Sequence, residues 1–339
     1  MLQQAESNLN RKTEEEPVIS NGYVIAADIG GTSLRLALAD MSGAIVSRWT
    51  ASTEGIRDPD KVLQQICIGA DRFFAQSGVA RSALRAIAAG APGIVDANQG
   101  VVLATSYLMG WKDVPLRLML EEQFGVPASV ENDVNLAAIG EYSAGSAHGT
   151  HDFVFLAVGT GIGAGIVLNG RLHHGMNWSA GEVGYMLVPG TSTVPVRPHE
   201  PGAMEMIAGG AGISLQWQKR WREGLSTLPL DATATAIFDQ ALQGDSLALE
   251  VLNLSVRTLA YAIFNLSIVL NCKLFVLGGT VGLHSAYIAA LQAVLEELST
   301  REKLVLVPSS LGVDAQLTGG ILLARQTAHA EKESNAACR

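Results

Sequence analysis

Two stretches of the chain share one pattern, and together they narrow the folds open to it. The first is an apolar run, Val24-Ile25-Ala26-Ala27, then the turn Asp28-Ile29-Gly30-Gly31-Thr32, then the alternating run Leu34-Arg35-Leu36-Ala37-Leu38. The second places Gly159-Thr160-Gly161-Ile162-Gly163 between the apolar runs Phe153–Val158 and Ala164–Leu168. Length and alternation read as strand, turn, strand in both. Adjacent glycines remove the Cβ atoms that keep a ligand off the backbone. Their N–H groups can then converge on an anion, as in a backbone nest. Taken alone, each turn is equally well an ordinary hairpin, because Gly-Gly is a frequent hairpin signal. One such unit in each half of the chain predicts two α/β domains of related build, with glycine turns facing a shared cleft.

The intervening pattern mixes strands and helices. Asp58-Pro59 starts a helix with Val62, Leu63, Ile66, Ala70, Phe73 and Phe74 on one face. Leu84–Ala89 reads as a strand, and a helix ends near Phe124-Gly125. Ala128-Ser129-Val130 is a short strand that runs into Glu131-Asn132-Asp133, and a helix follows from Val134 to about Tyr142. A loop rich in Pro and Gly spans Pro189–Gly202, and helices fill much of Met204–Leu270. Lys273–Leu277 is a strand followed by Gly278-Gly279, Leu304–Val307 is another, and a last helix covers Gly319–Ala328.

A chain of 339 residues fits two domains better than one, and 48% hydrophobic content supports a large core. The net charge of −9 argues against a nucleic-acid partner, which needs a basic face. Cys67, Cys272 and Cys338 are far apart and give neither a disulfide framework nor a metal signature, so cytosol is the simplest compartment. Met1–Asn21 is polar, carries Glu14-Glu15-Glu16, lacks the apolar stretch of a signal peptide and reads as a flexible tail. No segment is expected to reach the apolar length needed to span a bilayer, and the run Leu259–Leu270, broken by Asn265, reads as a buried helix.

Asp28-x-Gly30-Gly31-Thr32, Glu131-Asn132-Asp133, Gly159-Thr160-Gly161-x-Gly163, Gly181-Glu182-Val183-Gly184 and Gly278-Gly279, in that order, resemble the motifs of the ROK family of sugar kinases and sugar-responsive repressors. The likeness runs from about Val24 to Ala328. It implies the α/β actin/hexokinase-type (ribonuclease H-like) fold, two domains around a cleft. By this resemblance residues 22–130 plus about 319–330 form a small domain, 131–318 form a large one, and 331–339 are a flexible tail. The family's repressors carry a winged helix-turn-helix ahead of the first phosphate motif. Only the short acidic tail precedes Asp28 here, so the kinase branch is expected.

The resemblance assigns roles residue by residue. Asp133 is the candidate general base, taking a proton from a sugar hydroxyl, expected at C6, as it attacks the γ-phosphate of ATP. The residue also suits a helix cap, a role compatible with catalysis. Asn132, Glu182 and Glu205 match family residues that hydrogen-bond sugar hydroxyls. On sequence alone Glu182 reads first as a solvated loop carboxylate and Glu205 as a first-turn acid favoured by the helix dipole, and the resemblance reverses that order. Gly30, Gly31 and Thr32 match one phosphate loop, and Gly159, Thr160, Gly161 and Gly163 the other. Gly278 and Gly279 match the adenosine site, or are a plain glycine turn. Asp28 would hold Mg²⁺, through water, since Mg²⁺ keeps several waters.

One departure stands out. Most ROK kinases hold a structural zinc with one His and three Cys. The His position here is Tyr185, and the Cys positions are Val196, Pro198 and Ala203, none of which can ligate zinc. His173, His174 and His199 read as loop histidines. No structural zinc is expected, and Pro189, Pro195, Pro198 and Pro201 offset part of its loss by restricting the unfolded loop. Tyr185 also replaces a His that touches the sugar, offering one phenolic donor.

The leading expectation is therefore an ATP- and Mg²⁺-dependent hexose kinase, with glucose first and N-acetylmannosamine, N-acetylglucosamine, mannose and fructose behind it. Polyphosphate is an alternative donor that the acidic balance disfavours. A non-catalytic sugar sensor and an actin-like ATPase share the fold, but the first need not keep Asp133 and the second need not keep Asn132, Glu182 and Glu205. A homodimer or homotetramer is expected from the resemblance.

Overall fold

The computed structural model describes residues 22–337 apart from 57, 106, 107, 109, 197–199 and 299–302. The tail at 1–21, together with Cys338, Pro198 and His199, lies outside the described residues.

The first half opens with β1 (Tyr23–Ile29), β2 (Ser33–Asp40) and β3 (Ile45–Ser52), then α1 (Pro59–Ser77) and β4 (Leu84–Ala91). A small antiparallel sheet of β5 (Ile94–Asp96), β6 (Val101–Ala104) and β7 (Lys112–Val114) follows, then α2 (Leu116–Phe124), β8 (Ala128–Asn132) and α3 (Asp133–Ala144). The second half repeats the opening with β9 (Phe153–Val158), β10 (Ile162–Leu168) and β11 (Arg171–Leu172). It continues through α4 (Glu205–Ala208), α5 (Gly210–Arg220), α6 (Ala234–Leu242), α7 (Ser246–Leu270), β12 (Leu274–Gly278), α8 (Ser285–Leu298), β13 (Val305–Pro308) and α9 (Ala315–Ala337).

The internal echo read from the glycine turns is a repeat of topology. One sheet has the order β3-β2-β1-β4-β8, the other β11-β10-β9-β12-β13. In both, an antiparallel hairpin leads and two parallel strands follow on the far side of its first strand. Parallel strands bring all their carboxyl ends to one edge, where ligands of open α/β sheets bind.

Period-two alternation explains how the first sheet is covered on both faces. Ile25, Ala27, Ile29, Leu34, Leu36 and Leu38 join Val62, Ile66 and Phe73 of α1 in one core. Val24, Ala26, Ala37, Ala39, Ala86 and Ala88 meet Leu317, Ile321, Ala324 and Ala328 of α9 in another. The alanines on that second face let α9 lie close to the sheet. Asp58 caps α1 by accepting from the Asp60 N–H, as its sequence position predicts.

Three expectations are corrected. The last helix begins at Ala315, ahead of Gly319, and runs through the expected tail as far as Ala337. After Ala328 the residues Ala330, Glu331, Lys332 and Glu333 favour helix, and neither Gly nor Pro interrupts them. The α3 cap is Asn132, not Asp133. And α7, with 25 residues and a mean hydropathy of 1.4, is long and apolar enough to cross a membrane by length and composition. It is instead a core helix: 61% of its apolar window is buried, and Val256, Leu259 and Ile263 lie in the same cluster as Trp217, Phe238 and Tyr287.

The two halves meet where α3 crosses α9. A Cβ at Gly319 would fall 1.9 Å from the Leu136 carbonyl oxygen, and one at Gly140 would fall 2.3 Å from that of Ala315. The crossing is thus backbone against backbone. Gly319→Ala is expected to destabilise the protein by about 1–3 kcal/mol through overpacking. A lowered urea midpoint with unchanged slope is the result that checks it.

Candidate active site

The parallel strand β8 delivers Glu131 and Asn132 to the carboxyl edge of the first sheet, and α3 starts there. Asn132 Oδ1 accepts from the Asn135 N–H at 3.0 Å, and Asn132 Nδ2 donates to the Gly93 carbonyl at 2.9 Å. With the cap taken by Asn132, Asp133 occupies the first helical position. Its Oδ1 accepts from the Val134 N–H at 2.9 Å, and its Oδ2 has no hydrogen bond among the described residues.

The charge balance around Asp133 is unusual. Burial in the cleft is the main cause that raises its pKa, to about 7, with the Asp28 carboxylate and then Glu182 adding to it. The Val134 N–H acts the other way and does not offset them. Asp28 is the penultimate residue of β1, and the hairpin register places Arg35 directly opposite it. Arg35 Nε and Nη2 both donate to Asp28 Oδ2, at 2.8 and 2.6 Å. Burial still holds the Asp28 pKa above its ordinary value, against the pull of Arg35. Arg35 also donates to the Val313 carbonyl and to Gln316 Oε1, so it ties β2 to the start of α9.

Both glycine turns are braced from behind. Gly30 N–H donates to the Ser33 carbonyl at 2.8 Å, and Thr53, fully buried, donates from Oγ1 to the Gly30 carbonyl and from N to that of Thr32. In the second turn, Gly159 N–H donates to the Gly161 carbonyl at 3.0 Å. The Gly159 and Thr160 carbonyls accept from Gly210 and Ala211 at the start of α5. The N–H groups of Gly31, Thr32 and Thr160 face no such partner among the described residues.

A cleft of about 230 Å³ lies between the halves. Gly30, Gly31, Gly93, Asn132 and Asp133 line it from one side, and Gly159, Thr160, Gly161, Gly163, Glu182, Tyr185 and Glu205 from the other. Asp28 and Thr32 do not line it, though the Asp28 charge acts on Asp133. Glu205 opens α4, and its Oε2 accepts from the Ile162 N–H at 2.9 Å. Burial, and then the Glu205 charge, raises the Glu182 pKa. Tyr185 Oη donates to the Glu200 carbonyl at 3.0 Å, so the proton expected for a sugar is directed into the adjoining loop.

Gly278 and Gly279 lie off this lining. A Cβ at Gly278 would fall 2.5 Å from Phe155 Cζ, and Gly279 has φ +84° with the Val158 carbonyl 2.3 Å from its would-be Cβ. Packing and backbone shape account for both glycines. Sequence reasoning missed Arg35, Thr53 and Glu131. The first had a signal: Asp28 and Arg35 are spaced to face each other across a hairpin with its turn at Gly30–Thr32.

A carboxylate held ionised where its pKa is about 7 opposes folding above that pH. The penalty shrinks as pH falls and vanishes below the unfolded value, 3.8. Asp133→Asn is therefore expected to stabilise the protein at pH 8 by on the order of 2–4 kcal/mol and to be neutral at pH 4. Calorimetric Tm values of both proteins across this range check the sign.

The ROK family profile matches residues 24–327. The chain is 29% identical over 334 residues to a glucokinase of Halalkalibacterium halodurans, covering 94% of this chain and 99% of that one. It is 31% identical over 308 residues to an N-acetylmannosamine kinase of Escherichia coli, covering 89% and 98%. Among solved structures, it superposes on a ROK family glucokinase from Streptomyces griseus in complex with glucose and AMPPNP with a TM-score of 0.76, 25% identity and coverage of 90% and 100%. A ROK hexokinase from Thermus thermophilus gives 0.74 and 28%, covering 92% and 99%. The repeated sheets, the braced glycine turns and a match over nearly the whole described chain make one conclusion: this protein belongs to the ROK family.

Proposed function

We propose that this protein transfers the γ-phosphoryl group of ATP to the 6-hydroxyl of a hexose, with glucose the first substrate and Asp133 the general base. The broader class, an ATP-dependent sugar kinase of the ROK family, rests on the family match and on relatives named for that activity. The observation that carries the finer reading is Asp133 itself, a carboxylate with a pKa near 7 in a cleft between two glycine turns. A base works best with its pKa near the working pH. Asp133 Oδ2 takes the hydroxyl proton, the oxygen bonds to the γ-phosphorus, and the bond from that phosphorus to the β–γ bridging oxygen breaks, releasing ADP.

The remaining residues orient and neutralise. Asn132, Glu182 and Glu205 hold sugar hydroxyls, carboxylates being strong acceptors. Tyr185 borders the same sugar as an acceptor. The turns at Gly30–Thr32 and Gly159–Gly163 turn N–H groups toward phosphate oxygens, and Gly278-Gly279 border the adenosine. Asp28 suits Mg²⁺ held through water: its Oδ1 has no partner among the described residues, and its charge reaches Asp133, whose pKa it raises. Bound there, Mg²⁺ would neutralise phosphate charge; no structural zinc is part of this proposal. Residues 22–130 with the α9 segment about 319–330, and residues 131–318, are the two bodies that close on the sugar. A cytoplasmic homodimer or homotetramer, with neither nucleic acid nor membrane as partner, completes the reading.

N-acetylmannosamine is the second substrate candidate, since the relative at 31% identity is named for it. A coupled ADP-release assay across glucose, mannose, fructose, N-acetylglucosamine and N-acetylmannosamine decides. Release without sugar would point to a plain ATPase, and none with any sugar to a sensor. Asp133→Ala is expected to lower turnover by roughly 10²–10⁴-fold. In the wild type kcat/KM should fall below about pH 7, where Asp133 is protonated and cannot act as a base. A flat profile from pH 5.5 to 8 would remove Asp133 from that role.

A further inference from the structure

His174 is attached to the second half of the molecule, yet the carboxylate it pairs with, Glu131, belongs to the first. It follows β11, and the neighbouring His173 N–H donates to the Ile166 carbonyl of β10. His174 Nε2 lies 2.7 Å from Glu131 Oε2 on β8. The Glu131 side chain is only 6% exposed. Its other oxygen, Oε1, accepts from the Asn132 N–H at 2.8 Å and from Asn135 Nδ2 at 2.9 Å. One buried carboxylate therefore gathers three donors. Two belong to the elbow that presents Asn132 and Asp133, and the third is His174.

His174 is also the root of the loop that carries the sugar-side residues. Its carbonyl accepts from the Ala180 N–H at 3.1 Å, and the Glu182 N–H donates to the Ser179 carbonyl at 3.3 Å. Trp178 packs edge-on to the imidazole, with centroids 5.1 Å apart, and holds φ +62°. A non-glycine residue in that backbone region needs local support. The loop from His174 to Tyr185 is thus chained to the histidine at one end and carries Glu182 and Tyr185 at the other.

We infer that His174 is a positioning residue: by latching Glu131 at the end of β8 it sets the sugar-contacting loop against the elbow that carries Asp133. This rests on the reading of the cleft as a sugar kinase site. The direction of titration fits. The hydrogen bond to Glu131 is the main cause that raises the His174 pKa above its ordinary value, and burial opposes it. Glu131 on β8 is the charged group acting on the ring, and Trp178 on its own loop carries no charge. The ion pair is complete below the raised pKa and is lost as pH climbs through it.

The test uses the full chain and whichever sugar gives the fastest ADP release. His174→Leu removes the donor, and His174→Gln keeps an uncharged N–H. His174→Leu is expected to raise the sugar KM about tenfold while the ATP KM stays within about twofold. His174→Gln should recover most of that loss, and it provides the reading if the leucine variant does not fold. The wild-type sugar KM should rise toward alkaline pH, and this rise should be missing in His174→Gln. A leucine variant with wild-type sugar KM, or with sugar and ATP KM raised alike, overturns the latch. A wild type that phosphorylates no sugar overturns the kinase reading instead, so the two failures are distinguishable.

Discussion

The site depends on keeping two carboxylates close together with little water around them. Burial raises the pKa of both, the Asp28 charge adds to the rise at Asp133, and among the described residues Arg35 pairs with Asp28 alone. Arg35 reaches it because the β1–β2 register sets the two residues opposite, and that register needs the turn between Ile29 and Ser33. Turn length, strand pairing and charge are one constraint. The Arg35 contacts with Val313 and Gln316 carry it on to the start of α9. Asp133, left without such a partner, is where the unrelieved charge collects, and a proton acceptor poised near neutrality is the result.

Much of this fold is legible in the sequence because periodicity reports burial directly. Val24–Ile29 and Leu34–Leu38 alternate between two covered faces, and both glycine turns fall at strand ends. The order of the motifs pointed to the ROK family and to a duplicated architecture, and the two sheets repeat one strand order. Local signals failed where two neighbours suit the same job. Asn132 and Asp133 are both good caps, and a shift of one residue decides which keeps a free oxygen. They failed again at the end of α9, where nothing in the composition marks a stop.

The sugar side was less legible for a different reason. The loop from Met186 to Met204 has no period to read, so nothing predicted that the Tyr185 phenol would turn toward Glu200. His174 reads as one more loop histidine because its partner lies 43 residues away on another sheet. Thr53, which braces the first turn, is 23 residues from the carbonyl it supports. Such pairings are set by how strands stack, a property of the whole topology that no local window contains.

The placement of α9 bears on how the chain reaches this state. One face of the first sheet, built from Val24, Ala26, Ala37, Ala39, Ala86 and Ala88, packs against Leu317, Ile321, Ala324 and Ala328 of α9. During synthesis that sheet emerges well before the helix that packs on it. Until then the alanine-rich face is open to water and to other chains. Its contacts are among the longest-range in the molecule, and contacts of that kind are slow to form. The packing of α9 on the first half therefore cannot form until residues from Leu317 onward have been made.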